Sequence, residues 1–269
     1  MDKIRYMVIG NPARHSLSPA MQNAAFEFYG EGSPYGWREP QAAELADFAR
    51  HARENLHGFN ITSPYKQDII EFCDVLDPEA RAARSVNTVK VVDGRLCGHT
   101  TDGFGFREAL KIVLGLEPAG RRFAIIGAGG AARAIATELA RYGAAAVMIA
   151  NRTRLKAEEL AAEVDGAAID LEEAPEADCV INCTTLGLHP GDPSPLTAAQ
   201  LERCKAVFDT VYLPTALQKA AREHGIPVAD GRYMLLYQGA RAFEIWTGRR
   251  APVDVMKKAL FAAMEARNK

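Results

Sequence analysis

The sequence predicts an α/β architecture in two lobes, with a parallel sheet in the rear half. Three observations lead there. Short apolar runs alternate with longer amphipathic ones along the chain, and from about residue 102 the alternation becomes regular. The last two apolar segments then follow each other with no strand between them. Strands joined through helices lie parallel, in a sheet covered on both faces. With 269 residues the chain has room for one large domain or two modest ones.

In the front half, residues 4–9 read as a strand, 19–29 as a helix opened by Ser18-Pro19, and 56–62 as a second strand. Residues 64–72 form a short helix, and 86–92 with 95–98 a hairpin turning at Asp93-Gly94. Further on, 103–114 is a helix, 122–126 a strand, 129–142 a helix, 146–150 a strand and 155–164 a helix. Strands at 179–182 and 207–211 follow. Residues 234–246 and 252–267 are helices that return to pack on the first lobe. The expected domains are 1–102 plus 238–269, and 103–237. A cleft between the lobes is where a small ligand would sit.

Composition narrows the function classes. Hydrophobic residues make up 48% and charged residues 25%, which suits a globular chain rather than a disordered or fibrous one. Lys and Arg number 32 against 34 Asp and Glu, so no basic excess draws the chain to nucleic acid or an anionic membrane. No apolar run approaches the ~20 residues a membrane helix needs. Met1-Asp2-Lys3-Ile4-Arg5 lacks the apolar stretch of a secretory leader. Cys73, Cys97, Cys179, Cys183 and Cys204 are scattered without paired spacing, as in reduced cytoplasmic proteins. The six histidines form no H-x-x-x-H pair, and no metal is expected. The expectation is a cytoplasmic protein, monomer or homodimer, whose partner is a small molecule.

Strand 122–126 runs into Gly127-Ala128-Gly129-Gly130-Ala131-Ala132, a G-x-G-x-x-A turn with a helix after it. Gly127 permits the tight turn and Gly129 lets the backbone approach a pyrophosphate. Ala132 lets the helix pack on the strand, and the helix N-terminus offers N–H groups to the anion. A purely structural turn would not need glycine at both 127 and 129. An NAD site carries Asp or Glu about 20 residues onward, for the ribose 2′-hydroxyl. This chain has Asn151-Arg152-Thr153 there, with Lys156 one helical turn behind Arg152. Two cations without a carboxylate suit the 2′-phosphate of NADP; the alternative for both is a solvated surface.

Three polar segments mark the front half. Gly10-Asn11-Pro12-Ala13-Arg14-His15-Ser16-Leu17-Ser18-Pro19 carries two hydroxyls just ahead of a helix. Asn60-Ile61-Thr62-Ser63-Pro64-Tyr65-Lys66 offers amide, hydroxyl and ammonium in one turn. Gly98-His99-Thr100-Thr101-Asp102-Gly103 ends the hairpin with a carboxylate. Taken singly they also read as an N-cap serine, a turn with a surface lysine, and an N-cap aspartate.

Taken together, H-S-x-S-P, N-I-T-x-P-x-K, Val86-Asn87-Thr88, T-D-G at Thr101 to Gly103, and N-R-T at Asn151 to Thr153 stand in the order seen in shikimate dehydrogenases. So does Met234-Leu235-Leu236-Tyr237-Gln238, followed by Phe243 and Trp246-Thr247-Gly248. From Gly10 to Gly248 the chain resembles that family, which implies that 1–102 plus 238–269 is a substrate-binding domain and 103–237 a Rossmann-like NADP-binding domain. The resemblance implies that Ser16 and Ser18 hold the substrate carboxylate and that Asn60, Thr62, Asn87, Asp102 and Gln238 bind ring hydroxyls. It makes Lys66 the proton-transfer group and sets Tyr212 near the carboxylate end. Gly127, Ala128, Gly129, Gly130, Ala131, Asn151, Arg152, Thr153 and Lys156 look like the NADP-binding set. Met234 is read either as touching the nicotinamide or as plain core. The chemistry agrees: hydride added to a ring ketone leaves negative charge on oxygen, which a nearby ammonium can meet and protonate, with Asp102 orienting it.

Two departures stand out. Thr100 replaces the asparagine usual before T-D, and the pattern after Tyr212 is compressed to Tyr212-Leu213-Pro214-Thr215-Ala216-Leu217. His51, His57, His189 and His224 are isolated and given no catalytic role; His15 shapes its loop; Cys179 and Cys183 pack. The expected activity is NADP-dependent reduction of 3-dehydroshikimate to shikimate, catalysed with Lys66 and Asp102. Quinate or aminoshikimate as substrate is the near alternative, and a non-catalytic ligand sensor the distant one.

Overall fold

The computed structural model describes residues 4–172, 176–189 and 191–267; residues 1–3, read above against a leader, lie outside them. The chain divides into two compact units, Met1–Thr101 with Leu235–Lys269, and Asp102–Met234. The breaks fall at 101/102 and 234/235, against the expected 102/103 and 237/238. Helix formation explains the shift. A helix starts on Asp102 itself, and the second break lies inside another helix, where no loop residue marks it.

The first unit contains β1 (Tyr6–Ile9), α1 (Ser18–Phe28), β2 (Tyr35–Arg38), α2 (Leu45–Asn55), β3 (Gly58–Ile61), β4 (Val75–Leu76), α3 (Pro78–Ala83), β5 (Thr88–Val92) and β6 (Arg95–His99). Its sheet runs β2-β1-β3-β5-β6-β4. β1 lies parallel to β2 and β3, whereas β5 is antiparallel to both β3 and β6. The β5–β6 hairpin turns where expected. Asp93 and Gly94 take left-handed φ values of 50° and 72°, whose twist matches the strands they join. The expected helix over 64–72 is reduced to a 3₁₀ segment at Asp68–Phe72. The Lys66 carbonyl is taken by the Val86 N–H at 2.8 Å and is lost to a helical ladder. β2 and α2 had no counterpart in the sequence reading, although Leu45, Phe48, Ala49 and Ala52 form a buried helical stripe.

The second unit contains α4 (Asp102–Leu114), β7 (Arg122–Ile126), α5 (Gly130–Arg141), β8 (Ala146–Ala150), α6 (Arg154–Glu163), β9 (Ala167–Ile169), β10 (Cys179–Asn182), α7 (Ala198–Leu201), β11 (Val207–Asp209), α8 (Ala216–Glu223) and β12 (Val228–Ala229). All its strands are parallel, in the order β12-β11-β10-β7-β8-β9. Alternation along β7 divides the core. Phe123 and Ile125 face a cluster with Phe106, Ile135 and Phe208, while Ala124 and Ile126 face one with Val180, Val207 and Leu217. The chain then forms α9 (Gly231–Thr247) and α10 (Val253–Arg267). From Leu235 onward these helices join the first unit, as expected, and α10 lies along α1. Trp246 donates its indole N–H to the Val89 carbonyl at 2.9 Å, and its ring packs 5.2 Å from that of Tyr6.

Candidate active site

In the first unit four pieces of chain meet at one end of the sheet. The Thr62 N–H reaches the Ile9 carbonyl, the Asn11 N–H reaches Ser63, and the Ile61 N–H reaches Asn87. The turn after β1, the end of β3 and the start of β5 are thereby tied together, and Gln238 on α9 closes the group.

The serine loop is held from two sides. Glu39 accepts the N–H groups of Ala13 and Arg14, both at 2.8 Å, and pairs with the Arg14 guanidinium. The Arg14 hydrogen bonds hold the Glu39 carboxyl down to about 2. Arg267 donates to the His15 carbonyl at 2.5 Å. Ser16 Oγ accepts the Ser18 N–H at 3.2 Å, satisfying the first N–H of α1. Ser18 is not an N-cap: Leu17 occupies that position, and Ser18 begins the helix with its side chain buried.

Behind the loop lies a buried polar network. Asn60 Oδ1 accepts from the Tyr35 hydroxyl at 2.7 Å, and Asn60 Nδ2 donates to the Asn87 carbonyl and to Thr88 Oγ1. Asn87 Nδ2 donates to Thr101 Oγ1 at 2.9 Å and to Gln238 Oε1 at 3.2 Å, while its Oδ1 accepts the Thr101 N–H. Burial pushes the Tyr35 phenol pKa well up, so the phenol keeps its proton. Buried amides paired this fully hold one orientation. Tyr35, Asn60, Asn87, Thr88, Thr101 and Gln238 are thus joined. Thr62 and Lys66 occupy the turn that follows, both half-buried.

Asp102 and Tyr212 belong to the second unit. Asp102 is the first residue of α4 and is buried at 4% exposure; Tyr212 is half-buried on the loop after β11. Asp209 anchors that loop, accepting from the Thr215 hydroxyl at 2.6 Å, the Val211 N–H, Asn182 Nδ2 and Gln218 Nε2. Burial pushes the Asp209 carboxyl up, opposed by these donors.

The glycine turn sits where the strand order reverses, between β7 and β10, the usual ligand position in such sheets. Gly127 has φ +113°, and an added Cβ would lie 3.0 Å from the Cys183 backbone, so only glycine is accommodated. A Cβ at Gly129 would meet nothing within 4 Å, and no side chain caps α5, leaving open space before its N–H groups. Arg154 is engaged by Glu158 and Asp170, whereas Arg152 and Lys156 are exposed and make no ion pair among the described residues. Asn151 Nδ2 donates to the Thr153 carbonyl, bracing the turn. Met234 is buried in the core cluster with Phe106 and Phe208. An open anion cradle with two unpaired cations nearby fits a dinucleotide bearing an extra phosphate.

Sequence reasoning missed Tyr35, Glu39 and Asp209, and gave no role to the hydroxyls of Thr88 and Thr101. Thr88 and Thr101 stood inside quoted motifs, but Tyr35 lies on a strand with no expected counterpart, and nothing local marks it.

Residues 8–89 match the family described as shikimate dehydrogenase substrate binding domain, 108–190 that described as shikimate / quinate 5-dehydrogenase, and 231–261 that described as shikimate 5'-dehydrogenase C-terminal domain. The shikimate dehydrogenase (NADP(+)) of Symbiobacterium thermophilum is 42% identical over 96% of this chain and 94% of its own. That of Methanopyrus kandleri is 41% identical over 94% and 93%. The solved structure of the Thermus thermophilus enzyme, in complex with NADP(H) and shikimate, has a TM-score of 0.89 and 40% identity, covering 97% of this chain and 99% of that one. Motifs, fold and likeness along nearly the whole length agree: the chain belongs to the shikimate dehydrogenase family.

Proposed function

We propose that the chain is an NADP-dependent shikimate dehydrogenase, reducing 3-dehydroshikimate reversibly to shikimate. One observation carries the reading: a buried hydrogen-bonded network built on Tyr35, Asn60, Asn87 and Gln238 adjoins a turn bearing an amine, Lys66. Such a set suits a small hydroxylated acid with one reactive carbonyl.

In this reading Ser16 and Ser18 hold the carboxylate. Asn60, Thr62, Asn87, Asp102 and Gln238 bind ring hydroxyls, and Tyr212 serves the carboxylate end. Residues 127–131, Asn151, Arg152, Thr153, Lys156 and Met234 hold NADP, which when bound supplies hydride to the ring carbon. Lys66 stabilises the charge that develops on the carbonyl oxygen and gives that oxygen its proton. Asp102 orients the ammonium and accepts a hydrogen bond from the neighbouring hydroxyl. The five free cysteines suit a reducing cytoplasm, and the protein is read as a monomer or homodimer.

The test is an absorbance assay of reduced nicotinamide with shikimate and quinate, each paired with NADP and NAD. Shikimate with NADP is expected to give the highest kcat/KM. A higher value with quinate would reassign the substrate within the shikimate / quinate family matched over 108–190. Shikimate binding without any absorbance change would make the chain a ligand sensor.

A further inference from the structure

Gln22 is wholly buried on α1, one turn after Ser18, and has no part in the proposed function so far. Its Nε2 donates to the Gly239 carbonyl on α9 at 2.9 Å. A carbonyl only accepts, so this bond fixes which end of the amide is nitrogen. The other end, Oε1, is buried with no hydrogen-bond partner among the described residues. Gly239 permits the close approach. A Cβ there would collide with the Met21 methyl and come within 3.3 Å of Gln22 Nε2.

Contacts between α1 and the α9 segment advance together along the chain. Gln22 meets Gly239, the Phe26 ring lies 5.1 Å from that of Phe243, and the Tyr29 hydroxyl donates to the Arg250 carbonyl at 2.8 Å. The two helices therefore run in the same direction, and of these contacts the amide bond lies nearest Ser18 and Gln238. Gln238 Oε1 accepts from Asn87, and its Nε2 spends one hydrogen on the Leu235 carbonyl, which leaves the second for a ligand. Aromatic packing secures the far ends of the pair, and the Gln22 amide ties the near ones.

An unpaired buried amide oxygen costs stability, so an apolar side chain of the same length would serve the core as well or better. What the amide adds is a directed bond that holds one separation and register. We propose, resting on the shikimate reading, that Gln22 is a positioning residue: its amide sets the span between the serine loop that takes the carboxylate and Gln238, which takes a ring hydroxyl. A ligand gripped at both ends feels that span, whereas the chemical step and the cofactor do not.

Steady-state kinetics with shikimate and NADP, alongside thermal melting, on wild type, Gln22→Met, Gln238→Ala and the double variant test this. Gln22→Met keeps the chain length and removes the bond together with the orphaned oxygen. KM for shikimate is expected to rise about fivefold, with kcat and the KM for NADP changed less than about twofold. Tm is expected to fall by no more than about 3 °C. With Gln238 truncated there is no second grip to position, so adding Gln22→Met to Gln238→Ala is expected to raise KM less than about twofold further. An unchanged KM in Gln22→Met, a larger fall in Tm, or penalties that multiply would each overturn the proposal. A Gln22→Met chain that fails to fold would show that the core needs the amide, and would overturn it too. Wild-type protein inactive on shikimate overturns the functional reading, and this proposal with it. An active wild type beside an indifferent Gln22→Met overturns the proposal alone.

Discussion

The Lys66 carbonyl is fastened to Val86, next to Asn87 and just ahead of β5, so the lysine side chain starts from a fixed base. If it transfers the proton, Lys66→Ala should lower kcat about 10²–10⁴-fold with a much smaller change in shikimate KM. A rise in KM alone, by initial-rate kinetics, would make Lys66 a binding group. Arg152 is free of the ion pairs that occupy Arg154, which suits it to an incoming phosphate. Arg152→Ala should therefore weaken NADPH far more than NADH by fluorescence titration, and equal losses would defeat the assignment. Glu39 carries a pH dependence. Its folded carboxyl is held to about 2 against an ordinary 4.5, so on acidification the unfolded chain takes the proton first. Glu39 thus contributes stability above about pH 4.5 that is lost as pH falls toward 2. The Tm gap between wild type and Glu39→Gln is expected to be full at neutral pH and to close across that window. Motif residues such as Ser16, Asn60 and Lys66 were legible in the sequence because one short segment held each set. Tyr35 and Glu39 were not, since their partners lie 25 or more residues away.

Three strands of the second unit could be read closely because each is short, apolar and bounded by turn residues, whereas β9, α7, α8 and β12 had no counterpart in the sequence reading. β7, β8 and β10 fall on their expected limits. β2 could not: its buried Tyr35 is followed by half-exposed and exposed residues, so no apolar run betrays it. The segment after β3 carried a helical pattern but lost its ladder to a long-range bond from Val86, a case of tertiary contact overriding local preference. α9 illustrates how an element serves the site at a distance. Trp246 pins it to β5 through the Val89 carbonyl, eight residues along from Gln238, which meets Asn87. Trp246→Phe removes one donor from a carbonyl that the β3–β5 ladder still pairs, and should cost about 0.5–1.5 kcal/mol in chemical denaturation. A loss well below that range would mean the indole bond is replaceable.

Across the whole molecule, the two units differ in how the chain builds them. Asp102–Met234 is one continuous stretch with a complete parallel sheet covered on both faces, whereas the first unit needs Leu235–Lys269 to cover Tyr6 and Phe26. Residues 102–234 expressed alone should melt cooperatively by circular dichroism, and residues 1–101 alone should not. Cooperative melting of 1–101 would show that α9 and α10 are dispensable to its core. Among the described residues no helix is long and apolar enough to cross a membrane, and no group of three His, Cys, Asp or Glu is set to hold a metal ion. By itself the sequence determined the α/β class, the glycine turn, the cationic strand end and the family, because each is written in adjacent residues. Only the tertiary structure decided that Tyr35, Asn60, Asn87 and Gln238 form one hydrogen-bonded unit. A buried amide or hydroxyl acquires its orientation from partners that folding brings in from distant positions, and no local pattern encodes them.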